Sequence, residues 1–243
     1  MGVVMSGNPV MCVTGANRGI GLELARQYLT DGWDVIATVR SMDISDELAA
    51  VVAAHPSIRV EQLEIGDAES VRAFAERLNG QPIDLLINNA GIFGPLPFVE
   101  NIQKQRFGTV DLDVWTDVLR VNTLGTINVT EALVDNVAAS EKKMIVTLSS
   151  GAGSIGGSDR PAMAYTTSKA ALNKAMTIVA RTLQDRDIVV AIMCPGYVRT
   201  RMGLGGGDVD VDESVAGLRS LISGFTMADS GTFRRYNGDV IPW

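Results

Sequence analysis

Short apolar runs alternate with helix-forming stretches along this chain, and that alternation restricts the fold more than any other feature. Runs that read as strands lie at Pro9–Thr14, Trp33–Val39, Ile58–Leu63, Ile83–Ile87, Lys143–Leu148 and Ile188–Met193. Helical stretches separate them, at about Leu22–Thr30, Ser45–Ala54, Asp67–Leu78, Asp113–Asn136 and from Ala164 to about Asp185, with Asp67 as a predicted N-cap. The Pro9–Thr14 run, apolar and bounded by turn residues, suits a buried parallel strand. Strands joined through helices imply an α/β fold with a doubly wound parallel sheet. A short helix at Val211–Ser223 and a last strand within Gly231–Tyr236 complete the series. The 243 residues suit one α/β domain, with no boundary and no internal repeat.

Composition removes several function classes. The net charge is −7, whereas a nucleic-acid partner needs a basic face. His55 is the only histidine, so neither a Ser-His-Asp triad nor a histidine-rich metal site is available, and no metal is expected. Cys12 and Cys194 sit in apolar runs and are expected as buried, reduced thiols. No apolar run is long enough to span a membrane, and the N-terminus lacks the basic start and apolar core of a signal peptide, so a cytoplasmic location is expected. Met1–Ser6 does fit the short N-myristoylation pattern.

The first strand runs into Gly15-Ala16-Asn17-Arg18-Gly19-Ile20-Gly21 and then a helix. Glycines placed there let main-chain N–H groups approach a phosphate at the helix N-terminus, where the helix dipole favours an anion. The second strand ends at Arg40-Ser41. An arginine at that point suits a ribose 2′-phosphate, where an acidic residue would hold the 2′-hydroxyl. Arg18 and Arg40 together favour NADP, and Asp43 nearby keeps NAD as the alternative.

Tyr165 and Lys169 are four residues apart on a predicted helix, so phenol and ammonium share a face. A neighbouring cation favours the phenolate and lowers the tyrosine pKa, which fits a group that exchanges a proton with a substrate oxygen. Asn122 lies inside a helix, where an asparagine needs either solvent or a partner. The connection from Ile92 to Thr109 is long enough to be functional. Phe93, Ile155, Tyr197 and Met202 are candidates for an apolar substrate pocket. The segments Val121–Thr130 and Ala170–Ala180 are poor in charge, which predicts a subunit interface as well as core packing.

Thr14 to Gly21, Asn88-Asn89-Ala90-Gly91, Asn122, Ser149-Ser150, Tyr165-x-x-x-Lys169 and Pro195-Gly196 follow the order and rough spacing of one family. The chain resembles the short-chain dehydrogenase/reductase family over essentially its whole length. The stretch Ser149–Ser154 and the Tyr236-Asn237-Gly238-Asp239 ending are similar to the subgroup of C-factor signalling proteins and sniffer-type carbonyl reductases. That resemblance implies a Rossmann sheet and hydride transfer between NADP and a small carbonyl or alcohol, in a homodimer or homotetramer. It implies Tyr165 as the acid/base, with Ser150 on the substrate oxygen. Lys169 would act on the tyrosine and the nicotinamide ribose, and Asn122 on a relay water. Gly15, Asn17, Arg18, Gly19, Ile20 and Gly21 would line the pyrophosphate and adenosine side, with Arg40 and Ser41 beyond them. Glu64 and Ile65 would lie near adenine, and Asn89, Ala90 and Gly91 along the cofactor. Pro195, Gly196, Val198 and Thr200 would meet the nicotinamide end. The alternative it leaves open is a nucleotide-binding signalling protein with little turnover. Ser150 stands fifteen positions before Tyr165, two more than is usual in the family, and the Gly151–Pro161 loop is expected to absorb them. Cys194 replaces a frequent asparagine, and Arg201 stands where an aspartate is common.

Overall fold

The first apolar run forms β1 (Val10–Val13), with all four residues buried. Its side chains alternate between two cores. Val10 and Cys12 pack with Phe74, Leu133 and Met176 on one face, and Met11 and Val13 pack with Leu24, Leu48 and Leu218 on the other. The remaining strands are β2 (Asp34–Val39), β3 (Ile58–Gln62), β4 (Leu85–Asn88), β5 (Met144–Leu148), β6 (Val189–Cys194) and β7 (Phe233–Arg235). All seven pair in parallel in the order β3-β2-β1-β4-β5-β6-β7. This computed structural model describes residues 7–158, 160–203 and 206–243. The Met1–Ser6 pattern therefore lies outside the described residues, as do Leu204 and Gly205.

Helices cover both faces: α1 (Gly19–Thr30), α2 (Asp46–Ala54), α3 (Ala68–Leu78), α4 (Phe98–Asn101), α5 (Leu112–Leu119), α6 (Thr126–Ala138), α7 (Met163–Thr182) and α8 (Val211–Gly224). Asp67 caps α3 as predicted, accepting from the Glu69 N–H at 3.0 Å, and Ser45 caps α2. No helix among the described residues is long and apolar enough to cross a membrane. Cys12 and Cys194 are buried free thiols. The chain order returns from β3 at one edge to β4 beside β1, so the connections diverge at the carboxyl ends of β1 and β4. In an open parallel sheet that divergence leaves a crevice for a ligand.

The single helix expected over Asp113–Asn136 is broken into α5, a π-helical segment at Arg120–Gly125, and α6. A π segment inserts an extra residue and re-aims side chains, often at functional positions. Packing explains why it is tolerated here. A Cβ on Gly125 would stand 2.5 Å from the main-chain oxygen of Ile65, so only glycine allows this approach to the loop after β3. We expect Gly125→Ala to destabilise the protein. Helix propensity favours alanine by up to about 1 kcal/mol, but overpacking against a main-chain atom costs about 1–3 kcal/mol. A Tm lower by roughly 3–6 °C in calorimetry is the expected outcome, and an unchanged Tm would show that the Ile65 segment yields freely.

Candidate active site

The crevice is built from the ends of four strands. After β1, Gly15 and Gly19 adopt φ +73° and +57°, a region in which side chains are strained. A Cβ on Gly21 would stand 2.4 Å from the Gly15 oxygen and 2.5 Å from Asn89 Nδ2. The turn is thus pressed against the end of β4 and admits no side chain there. Thr14, 2% exposed, fastens the two strands by accepting from the N–H groups of both Asn89 and Ala90 at 3.0 Å. Asn89 Nδ2 donates back to the Thr14 oxygen at 2.7 Å and the Gly15 oxygen at 3.1 Å. Asn17 is occupied in holding the turn: its side-chain oxygen accepts from the Ser45 N–H at 2.7 Å. Ile20 packs on the second core, behind the turn.

The first turn of α1 carries no acidic residue, and its N-cap, Arg18, makes no side-chain cap. Arg18 is exposed and has no ion pair among the described residues. Arg40 is also exposed and lies 3.7 Å from Glu64, a loose surface pair. Glu64 is further committed to the Gly66 N–H at 3.3 Å, and Ser41 to the Asp43 N–H at 3.2 Å. Ile65 is buried in the core beside these groups. Because β1 pairs with β2 in parallel, Val13 opposite Ala37, the Arg18 turn and Arg40 share one edge of the sheet.

On the other side of the crevice stands α7. Lys169 is 5% exposed; its ammonium donates to the Leu148 oxygen at 3.0 Å and lies 6.0 Å from the Tyr165 ring centre. The Ser150 hydroxyl lies close enough to the Tyr165 phenol to oppose its rise in pKa, so the two extra loop residues do not displace it. A 3₁₀ turn at Gly151–Gly153 takes up that length and rests on α7, where a Cβ on Gly153 would meet the Lys169 main chain at 2.7 Å. Asn122, fully buried in the π segment, spends its amide on its neighbours. It accepts from the Ile92 N–H at 2.7 Å and donates to the Ile92 oxygen at 2.8 Å and Ser168 Oγ at 3.0 Å. Its main-chain oxygen accepts from Thr126 Oγ1 at 3.0 Å. Gly91 lies between Asn122 and Lys169: a Cβ there would be 3.1 Å from Asn122 Oδ1 and 3.7 Å from Lys169 Nζ.

After β6, Gly196 takes φ +90° and Ser214 Oγ donates to the Pro195 oxygen at 2.6 Å. Val198 is buried and bridges to Val209. Thr200 faces the glycine turn across the crevice, 3.7 Å from where a Gly19 Cβ would be. The substrate candidates divide. Phe93 packs its ring on Tyr165 at 4.9 Å, while Tyr197 lies on the β6 side under the Arg160 guanidinium at 5.0 Å. Met202 is 41% exposed, in the segment past Thr200. Ile155 goes elsewhere. It is 85% exposed and lines a groove with Lys174, Met227 and Trp243 along α7, because the 3₁₀ turn directs the chain outward after Ser154.

Burial dominates the electrostatics. Desolvation pushes the Tyr165 phenol up to about 12 against the opposing Ser150 hydrogen bond, and lowers the Lys169 ammonium to about 8. This corrects the sequence expectation that Lys169 holds the tyrosine below its ordinary value: desolvation of the phenolate raises it, and the opposing effects come from Ser150 and, less strongly, Arg160.

The protein-family model for short chain dehydrogenases matches residues 9–205. The chain belongs to the short-chain dehydrogenase family. Within that family it is 32% identical to the C-signal of Myxococcus xanthus, over 71% of this chain and 100% of that protein. Among solved short-chain dehydrogenase structures it is similar to the NADPH-bound carbonyl reductase from chicken fatty liver. The TM-score is 0.84 at 30% identity, over 97% of this chain and 99% of that one. The carbonyl reductase Sniffer of D. melanogaster gives a TM-score of 0.87 at 27% identity, over 97% and 100%. The chain's own residues fit the family's dinucleotide: a glycine cradle that a Cβ would fill, an open helix N-terminus, and a buried ammonium with a single acceptor among the described residues.

Sequence reasoning missed Thr14 as a clamp, and it missed Ser168 and Gln105, which contact the Tyr165 main chain. A lone serine on a helix and a lone glutamine in a loop give no periodic signal.

The buried lysine has a measurable thermodynamic consequence. Between pH about 8 and the ordinary value of 10.5 the unfolded chain holds a proton that folded Lys169 has released, so stability from this group rises with pH across that window. At pH 7 the cost of charging Lys169 reaches roughly 3 kcal/mol, of which the lost Leu148 bond would take back about 1–3 kcal/mol. In urea titrations Lys169→Met is therefore expected to be at least as stable as wild type at pH 7. It should lose ground to wild type by pH 10.5, and a pH-independent difference would refute this.

Proposed function

We propose that this chain is an NADPH-dependent carbonyl reductase acting on small aldehydes or ketones, and on the corresponding alcohols in reverse. One observation carries the reading. The Tyr165 phenol, the Ser150 hydroxyl and the Lys169 ammonium converge at the carboxyl edge of the sheet, across the crevice from the glycine turn. The NADPH-bound chicken reductase supports the choice of cofactor, and Arg18 and Arg40 supply cations suited to the 2′-phosphate.

When bound, the nicotinamide supplies a hydride to the carbonyl carbon. The protein supplies the proton. Ser150 and Tyr165 donate hydrogen bonds to the carbonyl oxygen, which strengthen as negative charge grows on it. Tyr165 then transfers its phenolic proton, and carbonyl, hydride and proton together make the alcohol. A phenol raised to about 12 keeps that proton throughout the neutral range. Lys169, held near 8, exchanges protons readily at working pH and returns one toward the tyrosinate. Asn122 fixes Ile92 and Ser168, and the family resemblance assigns it the support of a relay water. Phe93 and Tyr197 form the apolar walls, joined by Met202. We read the protein as cytoplasmic and as a homodimer or homotetramer. Leu112, Leu124 and Ile178 support the oligomer, being 68%, 64% and 52% exposed beside the α5–α7 contact.

The C-signal relative favours a second reading, a nucleotide-binding signal with little turnover. Initial rates of NADPH oxidation over a panel of aldehydes, ketones and diketones separate the two. Tyr165→Phe is expected to lower kcat by about 10²–10⁴ while still binding NADPH. A wild type inert on the whole panel, or a mutant that matches it, would favour the signalling role. Arg18→Ala with Arg40→Ala should raise the KM for NADPH about tenfold or more and leave that for NADH little changed. A wild type that strongly prefers NADH would overturn the cofactor choice.

A further inference from the structure

We propose that Gln105 is a positioning residue for Tyr165, tying the loop between β4 and α5 to the helix that carries the acid. The inference rests on the carbonyl-reductase reading above. Gln105 ends a 3₁₀ turn at Ile102–Gln105 and is 1% exposed, although it sits on a long connection. Its Nε2 donates to the Phe93 oxygen at 2.7 Å, and its Oε1 accepts from the Tyr165 N–H at 3.0 Å.

The second bond has a structural cause. The first N–H groups of a helix lack intrahelical acceptors, and the usual remedy is a capping side chain. The N-cap of α7 is Ala162, which has none to offer. Tyr165 is the third residue of that helix, and its N–H finds its acceptor 60 residues away. The tyrosine carbonyl is also held, accepting from Ser168 Oγ at 2.7 Å, and Ser168 in turn is held by Asn122. Two buried amides therefore grip consecutive loop residues, Asn122 at Ile92 and Gln105 at Phe93, and both connect to the Tyr165 main chain. The Phe93 ring then rests on the Tyr165 ring at 4.9 Å, with Phe98 edge-on behind it at 5.3 Å.

The chemistry demands this side chain. One end must accept and the other must donate, so a carboxylate fails at Phe93 and an aliphatic side chain fails at both. The space is also fitted to it: Gly94 has φ +152°, and a Cβ there would stand 2.6 Å from Gln105 Nε2. Buried polar networks of this kind rigidify when every member is satisfied. A misplacement of about 1 Å at a reacting group costs on the order of 10²-fold in rate. Gln105 thus makes loop order and acid placement a single event.

The experiment compares wild type, Gln105→Met and Gln105→Glu by steady-state kinetics, NADPH binding and ¹³Cζ-tyrosine NMR, with the Tyr165 resonance assigned by Tyr165→Phe. Gln105→Met should lower kcat about tenfold to a hundredfold, leave the NADPH Kd within about twofold, and shift or broaden the Tyr165 resonance. Gln105→Glu should regain kcat toward acid pH, where its protonated carboxyl donates to Phe93; it also serves if Gln105→Met fails to fold. An active wild type whose kcat and Tyr165 resonance are unmoved by either substitution overturns the inference alone. A fall in kcat matched by an equal loss of NADPH affinity also overturns it, because general disorder explains that result. A wild type inert on every carbonyl, with a Tyr165 resonance that still responds to Gln105, overturns the reductase reading and leaves the positioning role standing.

Discussion

Seven parallel strands ending at one edge leave a row of main-chain groups that no strand partner satisfies, and the structure depends on how those groups are paired. A buried main-chain N–H or C=O without a partner costs about as much as a lost hydrogen bond. Here short polar side chains do the pairing. Thr14 takes the first two N–H groups after β4, and Asn89 returns to the glycine turn. Asn17 with Ser45 ties that turn to α2, and Asn122 takes both polar groups of Ile92. The same bonds that make the edge affordable also fix the crevice. The functional groups are rigid because the strand ends had to be.

That rigidity has an electrostatic side. Partial burial of Tyr165 and near-complete burial of Lys169 shift both groups toward their neutral forms. Stability and reactivity pull apart here. A lysine kept dry weakens the fold at neutral pH, and under the proposed reductase reading the same lowered pKa suits it to exchange a proton.

Much of this was legible in the sequence, for physical reasons. The strands buried on both faces are continuously apolar and left a clear signal, whereas the edge strands β3 (Ile-Arg-Val-Glu-Gln) and β7 (Phe-Arg-Arg) are only partly buried, and β7 proved shorter than its predicted span. The glycine turn was legible because close main-chain approach excludes every side chain, and Tyr165 with Lys169 because helix period four is visible in one dimension. What was hidden depends on distance in space. Gln105 meets Tyr165 across 60 residues, and the sequence around it reads as an ordinary polar loop. Ile155 was misplaced because nothing in the sequence between Gly151 and Pro161 says which way a 3₁₀ turn will send the chain. The sign of the tyrosine shift was misjudged because spacing reveals a neighbouring charge but not the loss of water.

The charge-poor stretch around Asn122 shows how one sequence signal can have two causes. Absence of charge from Val121 to Thr130 suggested burial against a second subunit. The chain's own packing accounts for most of it: Val121, Asn122, Thr123, Gly125, Thr126, Val129 and Thr130 are all buried within this chain. The π segment turns an extra side chain inward, and Gly125 brings it against the Ile65 main chain. Only Leu124 stands out strongly, at 64% exposure. Along the first stretch the strongly exposed apolar side chain left for a partner is Leu124, while Ala170–Ala180 keeps Ala171 and Ile178 exposed. A partner covering them would press on the outer side of the π segment. Asn122 holds Ile92 and the loop that follows it from the inner side of that segment, so assembly and loop order would meet in one short stretch of chain.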